Sequence, residues 1–384
     1  MNRASGPKRP GRGGSGTAGS ASSSTPRAAG YRMPAEWEPH EATWLAWPHE
    51  PSDWPGKFAA VPWVMAEIAR HLQEGERLRL IVRSRAECRR AASVLAHSGV
   101  TARRVSFVVA PTDRSWTRDF LPIGVTRDGG AGGGRTRRKL AAVKWRFDGW
   151  ARYPNHARDE AAGLRVARAL GVPVFLPEAV IRGRRTRVVL EGGAIDVDGE
   201  GTLLATEQCL LTGDRARNPG LGREATEAVL GEYLGARKVL WLGRGIAGDD
   251  TGGHVDDFAR FVAPGRVVLA QERNGRDPNH RPLAEARERL SGARDARGRR
   301  VEVVPLPMPR PVVFAGERLP ASYANFYIGT AAVLVPTFND PADRVALGTL
   351  AELFPDREVV GIHSTDFVLG LGTIHCSTQQ QPRV

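Results

Sequence analysis

The sequence predicts one mixed α/β domain running from about residue 31 to residue 384, and three observations lead there. Short β-rich runs alternate with amphipathic helical stretches over the whole of that span. These runs fall into about five strand-rich units, each carrying a helix and several carrying hairpins, unlike the strict βα alternation of a barrel. No stretch inside the span has the Pro, Gly and polar richness of a linker, so nothing divides it.

The elements follow in order. Val61–Leu72 reads as a helix, with apolar residues at Val61, Val64, Met65, Ile68, Ala69 and Leu72, three and four apart. A strand at Leu78–Val82, a helix at Ala86–Ala96 and a strand at Val105–Val109 come next. Leu140–Phe147 reads as a strand, Glu160–Leu170 as a helix and Val172–Phe175 as a strand. Strands are expected at Thr186–Leu190, Ala194–Val197 and Leu203–Thr206, then a helix near Arg223–Leu234 and a strand at Lys238–Leu242. Further strands fall at Asp257–Val262 and Val267–Ala270, with a helix at Leu283–Leu290. Val301–Val304 and Val312–Phe314 are strands, Tyr323–Ile328 and Ala332–Pro336 a hairpin, Asp343–Leu353 a helix and Glu358–Ile362 the final strand.

Composition narrows the class. A hydrophobic fraction of 41% and a charged fraction of 25% in 384 residues are those of a globular protein able to bury a core without staples. Three cysteines, Cys88, Cys209 and Cys376, cannot all pair and have no zinc-finger spacing, which fits a reduced, cytoplasmic setting. No apolar run approaches the length of a membrane span. Residues 1–30 are rich in Gly, Ser, Ala and Arg and contain no acid, so they read as a disordered, basic, low-complexity tail. The net charge of +13 raises a nucleic-acid reading. However, the basic runs at Arg135–Lys139, Arg182–Arg187 and Arg281–Arg300 sit beside Gly or Pro without interleaved aromatics, as solvated loops do.

Four patches crowd polar residues beside glycines where a core would want apolar ones: Trp116-Thr-Arg-Asp119, Glu191-Gly-Gly193, the run from Gly248 through Asp250 to His254 and Asp256, and Gly370 to Gln381 around His375-Cys376. Cys376 follows a Gly-x-Gly turn, a bend that would expose a thiolate, whereas Cys88 lies in a helical pattern and Cys209 in an apolar run, as packing residues do. His254 and Asp256, two apart, would share one face of a strand. Asp119 would end an extended segment. Glu191, just after an apolar run, could orient a histidine or cap its turn. A zinc site from His254, Asp256 and His375 lacks ligand spacing, so no metal is expected.

Taken together and in this order, the patches resemble those of the agmatine deiminases, grouped with the Porphyromonas-type peptidylarginine deiminases among guanidine-modifying enzymes. The resemblance runs from Met33 to about Pro382. It includes Met33-Pro-Ala-Glu-Trp-Glu-Pro-His40, Thr43-Trp-Leu-Ala-Trp-Pro48, the Glu191-Gly-Gly193 segment through Thr202, Gly253-His-Val-Asp256, Pro336-Thr-Phe-Asn-Asp-Pro341 and Ile374-His-Cys376. It implies the pentein fold, a five-fold pseudosymmetric α/β propeller. It also implies Cys376 as nucleophile, His254 as general acid and base, Asp119 and Asp256 as guanidinium holders, Glu191 as the residue orienting the histidine, and Trp116 in the substrate channel. Two departures stand out: Leu121 where the family has glycine, and Gly252 where it has a bulky residue.

The implied reaction is deimination of a small guanidino compound, agmatine first, with no cofactor, through a covalent thiouronium on cysteine. Arginine or peptidylarginine is the alternative substrate, and a non-catalytic nucleic-acid or anion-binding module the more remote reading. Agmatine would need an acidic pocket, with Asp250 as the expected partner of its distal ammonium. An arginine α-carboxylate would instead need a base, for which Arg118 and Arg244 are nearest in sequence. A homo-oligomer is left open.

Overall fold

The computed structural model describes residues 25–129 and 138–384. Most of the expected tail therefore lies outside the described residues, as does most of the Arg135–Lys139 run. Residues 25–30 depart from the expectation. They form a packed turn in which the Arg27 amide donates to Glu232 O at 3.0 Å and the Tyr31 amide to Pro26 O at 2.8 Å. Thr25 to Gly30, placed in the tail by the sequence reading, thus pack against the chain that follows.

Four sheets repeat one connection: an antiparallel hairpin, then a helical crossover to a third strand parallel to the second. In the first, Ile123–Arg127 pairs with Lys139–Val143, and helix Ala157–Ala169 leads to Val174–Phe175. The second joins Ile195–Val197, Thr202–Thr206 and Lys238–Leu242 through helix Arg223–Leu234. The third joins Ala259–Ala263, Arg266–Gln271 and Glu302–Pro307 through helix His280–Leu290. The fourth joins Tyr327–Ile328, Ala332–Thr337 and Glu358–His363 through helix Ala342–Leu353. A fifth sheet uses both ends of the chain. Its hairpin partners are the last strand, Gln379–Pro382, and the first, His40–Ala46, followed in parallel by Arg77–Val82 and Val105–Val109.

The helices form for the reasons read in the sequence. Val61–Leu72 has Pro62 in its first turn and buries Val61, Met65, Ala66, Ile68, Ala69 and Leu72 along one stripe. Burying Val61, Met65, Ile68 and Leu72 contributes roughly 1.5–3 kcal/mol for each. Arg85–His97 starts at Ser84, whose hydroxyl accepts from the Glu87 amide at 3.2 Å.

Expected strands that differ do so at identifiable residues. Leu140–Phe147 ends at Val143, and Thr186–Leu190 is the shorter Arg184–Arg187. Five strands that the sequence reading left out, His40–Ala46, Ile123–Arg127, Glu178–Ile181, Glu317–Arg318 and Gln379–Pro382, are paired here. Gln379–Pro382 matters most. By pairing with His40–Ala46 it draws the preceding Ile374–Thr378 segment against the N-terminal half of the chain.

Candidate active site

Cys376 sits on that segment and is held from two sides. The Arg118 amide donates to Cys376 O at 3.1 Å, and the Thr117 hydroxyl donates to Ser377 O at 2.8 Å. Asn325 addresses the thiol directly, its Nδ2 lying 3.2 Å from Sγ. Instead of an exposed bend, Cys376 occupies a buried one, only 7% exposed, at the wall of a cavity of about 270 Å³. The turn before it places Leu371 at φ 64°, in the left-handed region.

Asp119 lies in a short helix, Thr117–Phe120, and not at the end of an extended run. Its Oδ1 accepts from the Gly193 amide at 3.0 Å and its Oδ2 from Trp150 Nε1 at 2.9 Å. His254 and Asp256 are likewise not on a strand. His254 caps a 3-10 turn, Val255–Asp257, and the turn rather than a pleat brings the two side chains together. His254 Nδ1 lies 4.0 Å from Asp119 Oδ1 and 3.9 Å from Asp256 Oδ1, and its Nε2 lies 3.6 Å from Glu191 Oε2. Cys376 Sγ is 3.9 Å from Asp256 Oδ2. Gly193 leaves the room for this convergence. A Cβ there would stand 2.6 Å from His254 Nδ1, 3.0 Å from Asp256 Oδ2 and 3.1 Å from Asp119 Oδ1.

Several polar atoms at this point have no hydrogen-bond partner among the described residues: both ring nitrogens of His254, Asp256 Oδ1 and Glu191 Oε2, all buried. Unpaired buried carboxylate and imidazole atoms are costly, so their clustering marks where a polar ligand would repay the desolvation. Their electrostatics fit a cation. Burial lifts the Asp119 carboxyl to about 6, with Asp256 and Glu191 pushing in the same direction. Burial disfavours the His254 imidazolium, but Asp119, the contact with Cys209 and Glu191 together hold it protonated well above the ordinary histidine range. The Cys376 thiol is pushed well up by burial and by Asp256, Asp257 and Asp119.

Residues without a conspicuous signal in the sequence support these groups. Burial opposes ionisation of Asp256, but His375, whose Nδ1 is 2.6 Å from Asp256 Oδ2, keeps that carboxyl below its usual range. His375 Nε2 is 2.8 Å from Glu36, which also accepts from Arg118 and Arg260. Both nitrogens of His375 are thus engaged, which removes it from the zinc set considered from sequence. Two other groups bring ligand-type atoms within 4.8 Å of one another, Glu191 with Cys209 and His254, and Asp256 with Asp257 and Cys376. The first lies against the Arg217 guanidinium, 2.7 Å from Glu191, a poor neighbour for a metal cation.

The remaining predicted residues take their places around the cavity. Trp116 and Asp250 line it, with Asp53, Arg114, Trp150, Tyr153 and Leu371. Trp116 rests against Trp54 and Phe367, with ring centroids 5.6 and 5.7 Å away. Arg118 turns away to Glu36 and Gln380, and Arg244 is not on the lining. Arg114, which the motif reading passed over, is the lining guanidinium. Cys88 packs against the core, while Cys209 is buried beside His254. The two departures are accommodated. Leu121 lies at φ −81°, ψ 160°, which any residue adopts, and is buried in the core; Gly252 lies at φ 86°, where a side chain would be strained.

Comparison with known proteins identifies the family. The sequence profile of the Porphyromonas-type peptidyl-arginine deiminases matches residues 32–382. The chain belongs to that family. Among its relatives are the agmatine deiminases of Stutzerimonas stutzeri, 37% identical, and of Pseudomonas aeruginosa, 35% identical, each match covering 94% of this chain and 98% of the relative. Its fold is similar to the agmatine deiminase of Enterococcus faecalis, with a TM-score of 0.83, 32% identity and coverage of 94% and 98%. It is also similar to a C. jejuni agmatine deiminase solved with substrate bound, with a TM-score of 0.77, 25% identity and coverage of 91% and 96%. The family thus has the pentein-like α/β fold expected from the motifs.

Proposed function

We propose that this chain hydrolyses agmatine to N-carbamoylputrescine and ammonia. One observation carries the reading: Asp119, Asp256, His254 and Cys376 converge where an acidic cavity ends, with unpaired atoms on His254 and Asp256. A guanidinium is planar and cationic, and two carboxylates can hold its N–H groups and fix its plane for attack. Its charge would also offset Asp119 and Asp256, the neighbours that keep the Cys376 thiol protonated, so substrate arrival favours the thiolate.

The thiol gives its proton to solvent, and the thiolate then bonds to the guanidinium carbon. His254, as imidazolium, gives its proton to one nitrogen, which leaves as ammonia and yields an S-alkylthiouronium. Water next adds to the same carbon as His254 takes back a proton, and the C–S bond breaks to release the ureido product. Glu191 orients His254 throughout, and Trp116 covers the channel. No step calls for a metal or organic cofactor.

Asp250 would receive the distal ammonium. Three carboxylates, those of Asp53, Asp119 and Asp250, face the cavity against the single guanidinium of Arg114 among its lining residues, which suits a dication. Arginine and arginyl peptides are the second reading, since Arg114 is a base within the cavity. Four sheets with one type of connection, and a fifth with the same pairing of strands, also support a five-fold pseudosymmetric propeller with the site at its centre. Among the described residues, no helix is long and apolar enough to cross a membrane, which is compatible with a cytoplasmic enzyme.

A ureido-product assay with agmatine, arginine and an arginyl peptide tests the reading. The expected kcat/KM for agmatine exceeds that for arginine by at least about 10²-fold, because an unpaired carboxylate facing acids is costly. Equal values, or a preference for arginine, would overturn agmatine as the substrate.

A further inference from the structure

We infer that Asp53 and Arg114 act together as a charge filter at the cavity wall, setting how strongly the site prefers an ammonium over a carboxylate at the substrate's distal end. This rests on the deiminase reading above and concerns the part of the site that does no chemistry.

The pair is built into the wall. Arg114 NH1 donates to Asp53 Oδ1, and the side chains are only 15% and 5% exposed. The Arg114 backbone is fixed by Asp159, which accepts from the amides of Asp113 at 2.7 Å and Arg114 at 3.2 Å. The guanidinium lies 4.3 Å over the Tyr153 ring, and the Tyr153 hydroxyl donates to Asp250 at 2.5 Å. Arg152 approaches Asp250 to 3.9 Å. A continuous path, Asp53–Arg114–Tyr153–Asp250, thus links the acid expected to bind the ammonium to a second, compensated acid.

Each member of the pair keeps an unused atom. Asp53 Oδ2 and Arg114 Nε are buried and have no hydrogen-bond partner among the described residues. Asp53 could accept from an ammonium, and Arg114 could donate to a carboxylate. While both are present their charges offset, and Asp250 decides the preference. Removing either charge uncovers the other in a poorly screened site. Arg114 offsets the charge of Asp53 but not the whole effect of its burial, which lifts the carboxyl to about 6.

The test measures kcat/KM for agmatine and for arginine in the wild type, Asp53→Asn, Arg114→Gln and the charge-conserving Arg114→Lys. Asp53→Asn should raise the arginine-to-agmatine ratio about tenfold, Arg114→Gln should lower it by a similar factor, and Arg114→Lys should stay near the wild type. If Arg114→Gln does not fold, Asp53→Asn against Arg114→Lys still decides the matter. Ratios unmoved within about twofold, or both variants shifting in the same direction, would reduce the pair to a structural brace. A wild type inert on every guanidino compound would instead sink the deiminase reading itself.

Discussion

Arg217 donates from Nε to Glu191 Oε1 at 2.7 Å, and neither side chain is exposed to solvent. Arg217 also donates through NH1 to Arg215 O at 2.8 Å and through NH2 to Thr251 O, within the turn that leads to His254. One guanidinium therefore compensates Glu191 and braces the histidine's loop. Burial would raise the Glu191 carboxyl, but Arg217 and then His254 bring it below its ordinary range, so it stays ionised beside the imidazolium.

Arg217→Met should therefore change the pH dependence as well as the stability. Without the guanidinium, the Glu191 carboxyl rises and becomes neutral, and the His254 imidazolium loses part of its support. The falling limb of kcat should move to lower pH, with a loss of about 10²-fold at pH 8 and partial recovery in Arg217→Lys. Breaking a buried pair also costs roughly 3–5 kcal/mol of stability. A pH–rate profile separates the two effects: a limb left in place would mean that Arg217 only braces the loop.

The wild-type profile has a predictable sign at both ends. Asp119 must be ionised to hold a guanidinium, and its carboxyl titrates at about 6 in the free protein. Since kcat/KM reports free-enzyme groups, it should fall about tenfold per pH unit below about 6 and level off above it. The imidazolium, held well above the ordinary histidine range, should place the other limb well above neutrality. An acid limb near the usual aspartate value of about 4 would show that Asp119 is not the group being titrated.

Covalent chemistry predicts a clear contrast among the cysteines. Cys376→Ala should fold and show no detectable turnover, while Cys88→Ala, half-buried and remote from the site, should keep full activity. Cys209→Ala differs from a simple packing change, because the thiol lies beside His254 and Glu191. It should retain the chemistry at a rate lowered by about tenfold. Mass spectrometry of a rapidly quenched reaction should find the adduct on the Cys376 peptide. Turnover by Cys376→Ala would end the covalent mechanism.

The patches that converge on the cavity were legible because glycine and acid seldom coincide in a core. Glu191-Gly-Gly193 stood out in sequence for a reason now visible, since the space at Gly193 is shared by His254, Asp256 and Asp119. What the sequence could not convey was long-range partnership. Arg217 and Asn325 look like ordinary surface polar residues until strands far apart in the chain bring them to Glu191 and Cys376. Gln379–Pro382 lacks the alternation of a strand, and becomes one because His40–Ala46 offers it an edge. Arg114 was hidden for the same reason. Its partner Asp53 ends a separate 3-10 turn, Pro51–Asp53, and only folding makes them a pair.

The contribution of the Thr25–Gly30 turn is the final point open to measurement. Thr25 Oγ1 donates to Glu232 at 2.5 Å, Arg127 NH1 donates to Ala29 O at 2.8 Å, and Ala29 packs against the core cluster that includes Tyr31 and Leu234. A chain beginning at Thr25 keeps these contacts, while one beginning at Tyr31 loses them along with the Arg27–Glu232 backbone bond. Each net hydrogen bond contributes roughly 0.5–1.5 kcal/mol, partly offset by the entropy of ordering six residues. The shorter chain should therefore be less stable than the longer by about 1–3 kcal/mol, with kcat/KM on agmatine unchanged because none of these residues lines the cavity. Urea unfolding of the two chains, compared at constant m, gives the difference directly. Identical midpoints would mean that the Thr25–Gly30 turn contributes nothing net and that residue 31 is the better boundary.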